Sequence, residues 1–137
     1  MIVFDASAMI AYLRGETGGE MVRDLLDDAD VEKYAHSINL AEVFISFARS
    51  HSERTAREAL NTLHAAGIEE RSDMDIGLRQ DAAALVAQQR RNGHGLSSGD
   101  SFCIALARRL SADLVTGDHP EFEPVQAANL ARVTFFR

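Results

Sequence analysis

Short continuous apolar runs alternate along this chain with stretches whose apolar residues recur every three to four positions. The first run, Met1-Ile2-Val3-Phe4, ends at an acid and a small-residue turn, Asp5-Ala6-Ser7-Ala8, and reads as a strand buried on both faces. A short helix through Met9–Leu13 follows and stops at Gly15. Met21, Val22, Leu25, Leu26 and Ala29 then repeat at helical spacing, with acids on the opposite face. Residues 33–36 predict a second short strand. Ser37 stands where an N-cap belongs, before a helix over Ile38–Arg49. Ala56, Ala59, Leu60 and Leu63 mark a further helix that breaks near Gly67, followed by a strand over Ile68–Arg71. Asp73 is placed to cap a helix carrying Leu78, Ala82, Leu85 and Val86 to Arg91, ahead of Asn92-Gly93. The three glycines of Asn92–Gly99 predict a loop. A helix over Ser98–Leu110, a strand at Leu114–Thr116 and a closing strand over Ala131–Phe136 complete the pattern. Strands alternating with helices predict an α/β sandwich around a mainly parallel sheet.

Composition narrows the class. A chain of 137 residues predicts one compact domain over 1–137, and 46% hydrophobic with 26% charged residues excludes a disordered tail or a fibrous rod. The single cysteine, Cys103, excludes an intramolecular disulfide and a cysteine-rich zinc site. No apolar run approaches the ~18 residues of a membrane span. The opening strand leaves no room for a signal region, so the cytoplasm is the expected compartment. The net charge of −7 is unevenly spread: residues 16–32 carry seven acids and one base, or −6, leaving the rest of the chain at −1. An acidic total therefore does not exclude nucleic acid as a partner.

Four acids draw the chemistry. Asp5 and Asp118 each follow an apolar strand, and the carboxyl ends of parallel strands share one ligand-binding edge. Either position also suits a turn aspartate that accepts bonds from its own backbone. On the helix over 38–49, Asn39, Glu42, Ser46 and Arg49 form a polar stripe roughly 80° wide at ~100° per residue, facing a pocket or solvent. Ser97-Ser98-Gly99-Asp100 fits a capping box, and a helix N-terminus favours the ionised form a metal-ligating carboxylate needs. Four carboxylates near one edge require a counter-charge, and the only lysine, Lys33, is not placed to supply it. A hard divalent cation, Mg²⁺ or Mn²⁺, meets that need and suits metal-assisted hydrolysis of a phosphate ester.

Competing constellations are missing. No phosphate-binding G-x-x-x-x-G-K-[ST] loop or G-x-G-x-x-G fingerprint occurs. Cys103 falls in an apolar helix, and the five histidines show no ligand spacing and read as surface or loop residues. Arg49, Arg54 and Arg57 form one basic group and Arg90, Arg91 and His94 another, as phosphate contacts or as solvated helix ends.

Taken together, Asp5-Ala6-Ser7-Ala8, Asn39-Leu40-Ala41-Glu42-Val43, Leu96-Ser97-Ser98-Gly99-Asp100 and Val115-Thr116-Gly117-Asp118 resemble the PIN-domain nucleases, and most closely the VapC-type toxins of bacterial toxin–antitoxin pairs. The resemblance spans the chain from residue 1 to the closing strand. It implies a three-layer α/β/α fold with sheet order 3-2-1-4-5, RNA cleavage with Mg²⁺ or Mn²⁺, a homodimer, and silencing by a cognate antitoxin. It also implies Asp5 and Asp100 as principal metal ligands, Glu42 and Asp118 completing the pocket, and Ser7 and Thr116 orienting the acids. His119-Pro120 intervene before Glu121, which leaves Glu121 outside the expected core site. A PIN-type RNA-processing nuclease and a non-enzymatic PIN-like scaffold are the alternatives; the intact quartet disfavours the scaffold. Met9, Tyr12 and Leu13 with the acidic segment 16–32 are the expected docking surface for a basic amphipathic antitoxin segment.

Overall fold

The computed structural model describes all residues from Met1 to Arg137. Its order is β1 (Ile2–Phe4), α1 (Ala6–Arg14), α2 (Gly19–Asp27), β2 (Lys33–His36), α3 (Ser37–Ser50), α4 (Glu53–Ala65), β3 (Ile68–Arg71), α5 (Ile76–Arg91), α6 (Ser98–Leu110), β4 (Asp113–Thr116), α7 (His119–Ala127) and β5 (Val133–Phe135). The five strands form one sheet in the order β3-β2-β1-β4-β5, and every neighbouring pair is parallel. The expected fold and sheet order are therefore those observed.

The central strands are apolar without alternation because both faces of the sheet are covered. Ile2 and Phe4 point into one core with Ala8, Met9, Val22, Leu40, Val43 and Leu63 from α1–α4. Val3, between them, points into the other core with Leu78, Leu85, Ile104, Leu106 and Phe122 from α5–α7. Leu114 and Val115 divide in the same way, as a side-chain period of two requires. Small residues on α6 (Gly99, Ser101, Cys103, Ala105, Ala107) are all buried and bring that helix close against the sheet. No helix is long and apolar enough to cross a membrane.

Local signals set most helix ends. Gly15, at φ +62°, ends α1 in the left-handed conformation, and its N–H reaches the carbonyls of Ala11 and Tyr12. Two expected caps move. His36, not Ser37, caps α3 by accepting the N–H of Ile38, and Ser37 becomes the first helical residue. Asp75, not Asp73, caps α5. Asp73 is taken by Arg71 at 3.0 Å and by Arg109 at 2.9 Å, so its carboxylate serves an ion network rather than a helix. The structure adds α7, which the apolar pattern does not predict. Pro120 suits its first turn, but Pro124 lacks the N–H that would bond one turn back, so the run reads poorly as a helix from sequence. Met9 is fully buried rather than exposed, leaving Tyr12 and Leu13 as the part-exposed apolar residues of α1. Ala29 lies beyond α2 and Met21 is exposed, so Val22 and Leu26 carry that helix's buried face.

The two cores make a stability contrast that urea denaturation can read. Leu106→Ala in the fully buried centre of α6 is expected to cost about 2–5 kcal/mol. Ile45→Ser on the exposed side of α3 is expected to stay within about 0.5 kcal/mol.

Candidate active site

The site forms where β1 and β4 end. Asp5, the residue after β1, is only 2% exposed. It caps α1: its Oδ1 accepts the backbone N–H of Ala8 at 2.8 Å. The Ser7 hydroxyl donates to the same carboxylate at 2.8 Å, and the Thr116 hydroxyl donates to Oδ2 at 2.6 Å. Those hydroxyls are themselves held, Ser7 by the Gly117 N–H at 2.9 Å and Thr116 by the Asp118 N–H at 3.0 Å. The turn-aspartate reading of Asp5 thus holds, at the strand edge where the sequence places a candidate site. Burial pushes its carboxyl up to about 6, helped by the charge of Asp118 and opposed by hydrogen bonds from Thr116, Ala8 and Ser7.

Asp100 enters from the first turn of α6. Ser97 caps that helix by accepting the Asp100 N–H at 3.1 Å, and its hydroxyl donates to Asp100 Oδ2 at 2.7 Å. In a capping box the acid three residues on would take the cap's own N–H. Here the Ser97 N–H goes to Glu121 Oε2 of α7 at 2.7 Å. Asp118 caps α7, accepting the Glu121 N–H at 3.2 Å. One carboxylate oxygen from each of Asp100, Asp118 and Glu121 lies within 4.8 Å of the others. Glu121, which the sequence expectation left outside the core site, therefore lies in the acidic cluster with Asp100 and Asp118. Its signal was the D-x-x-E spacing of Asp118 and Glu121, which marks a helix start once α7 is foreseen. Burial, then the hydrogen-bonded Glu121 carboxyl, pushes Asp100 up to about 8 against the Ser97 hydrogen bond.

Glu42 reaches the cluster from α3. Asn39, fully buried, donates through Nδ2 to Glu42 Oε2 and to the Gly99 carbonyl, both at 3.3 Å. A Cβ at Gly99 would overlap the Glu42 carboxylate, so only glycine lets Glu42 lie over the first turn of α6. The polar stripe on α3 therefore faces a pocket at Asn39 and Glu42. Burial raises the Glu42 carboxyl, the Asn39 hydrogen bond opposes it, and the charge of Glu121 adds to it. Sequence reasoning gave Ser97 as the helix cap but not its hydroxyl bond to the Asp100 carboxylate, and it missed the supporting parts played by Asn39 and Gly99.

No lysine, arginine or histidine pairs with Asp5, Glu42, Asp100, Asp118 or Glu121. An all-carboxylate donor set without a protein counter-charge suits a hard divalent cation. The basic groups behave differently from one another. Arg54 and Arg57 are spent on exposed pairs with Glu58 and Glu53. Arg90 and Arg91 have no carboxylate partner and stay exposed. His36 is not a surface residue: it is 1% exposed, with Nε2 2.9 Å from the Asp73 carbonyl and its ring against Phe102.

Residues 2–125 match the family model described as the PIN domain. The chain belongs to the PIN domain family. No curated protein matches it. Solved structures share the PIN fold across nearly their whole length. VapBC2 from Rickettsia felis, bound to a DNA fragment from its promoter, superposes with a TM-score of 0.76 at 17% identity, covering 98% of each chain. VapBC-1 from nontypeable Haemophilus influenzae gives 0.73 at 18% identity over 99% of this chain and 98% of its own. VapC20 from Mycobacterium tuberculosis, described as a sarcin–ricin loop cleaving toxin, gives 0.72 at 15% identity over 90% and 95%. At these identities the likeness is one of fold.

The crowded acids set a pH dependence. Asp100 and Asp5 have folded-state values above their ordinary ones, at about 8 and about 6, so the native state holds more protons than the unfolded state in that window. Stability therefore falls as pH rises through those values. In chelator, Tm is expected to be higher at about pH 6 than at about pH 9, with Asp100→Asn flattening the difference. Asp118→Asn, which keeps a capping oxygen, is expected to raise the metal-free Tm and shrink the gain on adding Mg²⁺ or Mn²⁺. An unchanged metal response would place Asp118 outside the pocket.

Proposed function

We propose that this chain is a cytoplasmic, Mg²⁺- or Mn²⁺-dependent endoribonuclease of the toxin class, a single catalytic unit over residues 1–137 that a cognate antitoxin silences. The observation that carries this reading is the gathering of Asp5, Glu42, Asp100, Asp118 and Glu121 on one sheet edge with no basic partner. Asp100, Asp118 and Glu121, whose carboxylate oxygens lie close together, would hold the cation along with Asp5 and Glu42, whose charges couple to the same group. A bound Mg²⁺ or Mn²⁺ supplies an activated water and charge stabilisation at the leaving oxygen. In the hydrolysis, the water oxygen joins phosphorus, the bond from phosphorus to a ribose oxygen breaks, and that oxygen leaves with a proton.

The chain's own groups supply alignment. Ser7, Thr116 and the Ala8 N–H fix both oxygens of Asp5, Ser97 fixes Asp100, and Asn39 fixes Glu42 against α6. Such pre-orientation spares the site reorganisation during reaction. The fold shared with VapC20, itself described as a loop-cleaving toxin, supports RNA as substrate. The fold shared with proteins solved as VapBC complexes supports an antitoxin partner.

RNA-end sequencing after induced expression tests the activity. Wild type is expected to create new ends at discrete sites, and Asp5→Asn none. In vitro, Asp100→Asn is expected to lower the rate by more than the roughly 10–100-fold that outer-shell changes cost. Cleavage that survives both Asp100→Asn and excess chelator would overturn the metal mechanism.

The antitoxin surface has a separate test. Glu20, Asp24 and Asp27 are exposed on α2, beside the part-exposed Tyr12 and Leu13 of α1. Reversing the three to Lys is expected to slow association with the antitoxin and weaken its salt dependence, with RNA cleavage maintained. Unchanged association would make the acidic segment a solvated face.

A further inference from the structure

The polar stripe of α3 runs on past the acid cluster. One to two turns beyond Glu42, Ser46, Arg49 and Ser50 meet Arg14, the last residue of α1. These four residues line an open pocket of about 260 Å³, with no carboxylate and no apolar side chain among them. Small-molecule sites begin at roughly 300 Å³, so this one has room for a single polar group.

Its cations are unpaired. Neither Arg14 nor Arg49 has a carboxylate partner, whereas Arg54 and Arg57, the rest of the basic group read from the sequence, are taken by Glu58 and Glu53. Arg14 is held in place. Its Nη2 donates to the hydroxyls of Ser46 at 3.1 Å and Ser50 at 3.0 Å, and its guanidinium lies over the Phe47 ring, 4.8 Å from the centre. Those bonds leave its Nε and Nη1 N–H groups over, and Arg49 is exposed with its whole guanidinium free. The Ser46 hydroxyl accepts from Arg14 and has its own proton left to give. Two guanidinium groups and a hydroxyl proton, with no acid beside them, form a site for a phosphate-like oxyanion.

The pocket and the acid cluster are joined by the same two helices. Asp5 caps α1 and Arg14 ends it, while Arg49 stands two turns after Glu42 on α3, roughly 10 Å along the axis. A few nucleotides of single strand cover that distance. We infer that this pocket binds a backbone phosphate of the RNA strand, a few nucleotides from the bond being cut, and so aligns the strand on the acid cluster. The inference rests on the nuclease reading above. A contact to phosphate supplies affinity and register without base preference. A basic antitoxin segment, matched to the acids of α2, has the wrong charge for two arginines, which favours RNA over that partner here.

The test starts without cleavage. In an NMR titration of the ¹⁵N-labelled full chain in chelator, inorganic phosphate is expected to shift the Arg14 and Arg49 side-chain N–H signals and the Ser46 amide. Binding of a fluorescently labelled single-stranded RNA oligonucleotide, also in chelator, is expected to weaken about three- to tenfold in Arg49→Gln, equally for different sequences, with the salt slope lower by about 0.7. Arg54→Gln, which removes the same charge from the exposed pair with Glu58, is expected to leave RNA binding unchanged. Because Arg49 makes no ion pair in the fold, Arg49→Gln is expected to keep Tm. In turnover it is expected to raise KM and keep kcat, as a contact away from the reacting atoms does. Phosphate that leaves Arg14 and Arg49 unmoved, RNA binding or KM indifferent to Arg49→Gln, or a loss confined to antitoxin association would overturn the inference. The two readings fail separately. RNA held through Arg49 but never cut supports the pocket and sinks the nuclease, and cutting indifferent to Arg49 sinks the pocket alone.

Discussion

The Asp5 carboxylate is buried at the end of the central strand with hydroxyl and amide donors around it and no basic side chain paired with it. Four further carboxylates converge near it, and their charges act on one another across the site: Asp118 on Asp5, Asp5 and Glu121 on Asp100, Glu121 on Glu42. Asp5 is buried and the other four acids are half-buried, so burial and mutual repulsion both resist full ionisation. The fold has to hold this arrangement together without relieving it. A proton on Asp100 or Asp5, whose carboxyls are both pushed upward, relieves it, and a divalent cation would do the same.

Helix starts are how the structure holds it. Asp5 caps α1 and Asp118 caps α7, while Asp100 lies in the first turn of α6 and Glu121 in that of α7. Each helix turns its unpaired N–H groups and the positive end of its dipole toward the acids. The same side chains therefore close helix ends and form the pocket, which ties folding to the geometry of the site. Glu42, in the middle of a helix, has no such support and depends on Asn39 and on the missing side chain of Gly99.

Basic residues are kept elsewhere. Arg71 and Arg109 are committed to Asp73 and Asp75, bracing the link between β3 and α5 against α6. The Arg109 guanidinium holds the Asp75 carboxyl well below the usual range, so this brace weakens only in strong acid. His36 joins the same region, hydrogen-bonded to the Asp73 carbonyl with its ring tilted against Phe102. The acids of α2 remain exposed and far in sequence from the cluster, so the chain's net charge says little about its site.

Much of this was legible in the sequence, for a physical reason. Strands covered on both faces must be continuously apolar, amphipathic helices must repeat every three to four residues, and an acid directly after a parallel strand lies on the ligand edge. Those rules place β1, α3, α6 and β4 and bring Asp5 and Asp118 to one edge; the family resemblance adds Glu42 and Asp100 to them. Tertiary structure alone decided the rest. Whether Asp73 or Asp75 caps α5 depends on where Arg109 lands, thirty-odd residues away. Whether Met9 faces solvent depends on how α1 meets its neighbours. Glu121 joins the cluster because α7 forms despite Pro124 and because a Ser97 N–H, from a different helix, waits for its carboxylate. Local patterns specify elements and their ends; partnerships between side chains distant in sequence exist only once the layers have packed.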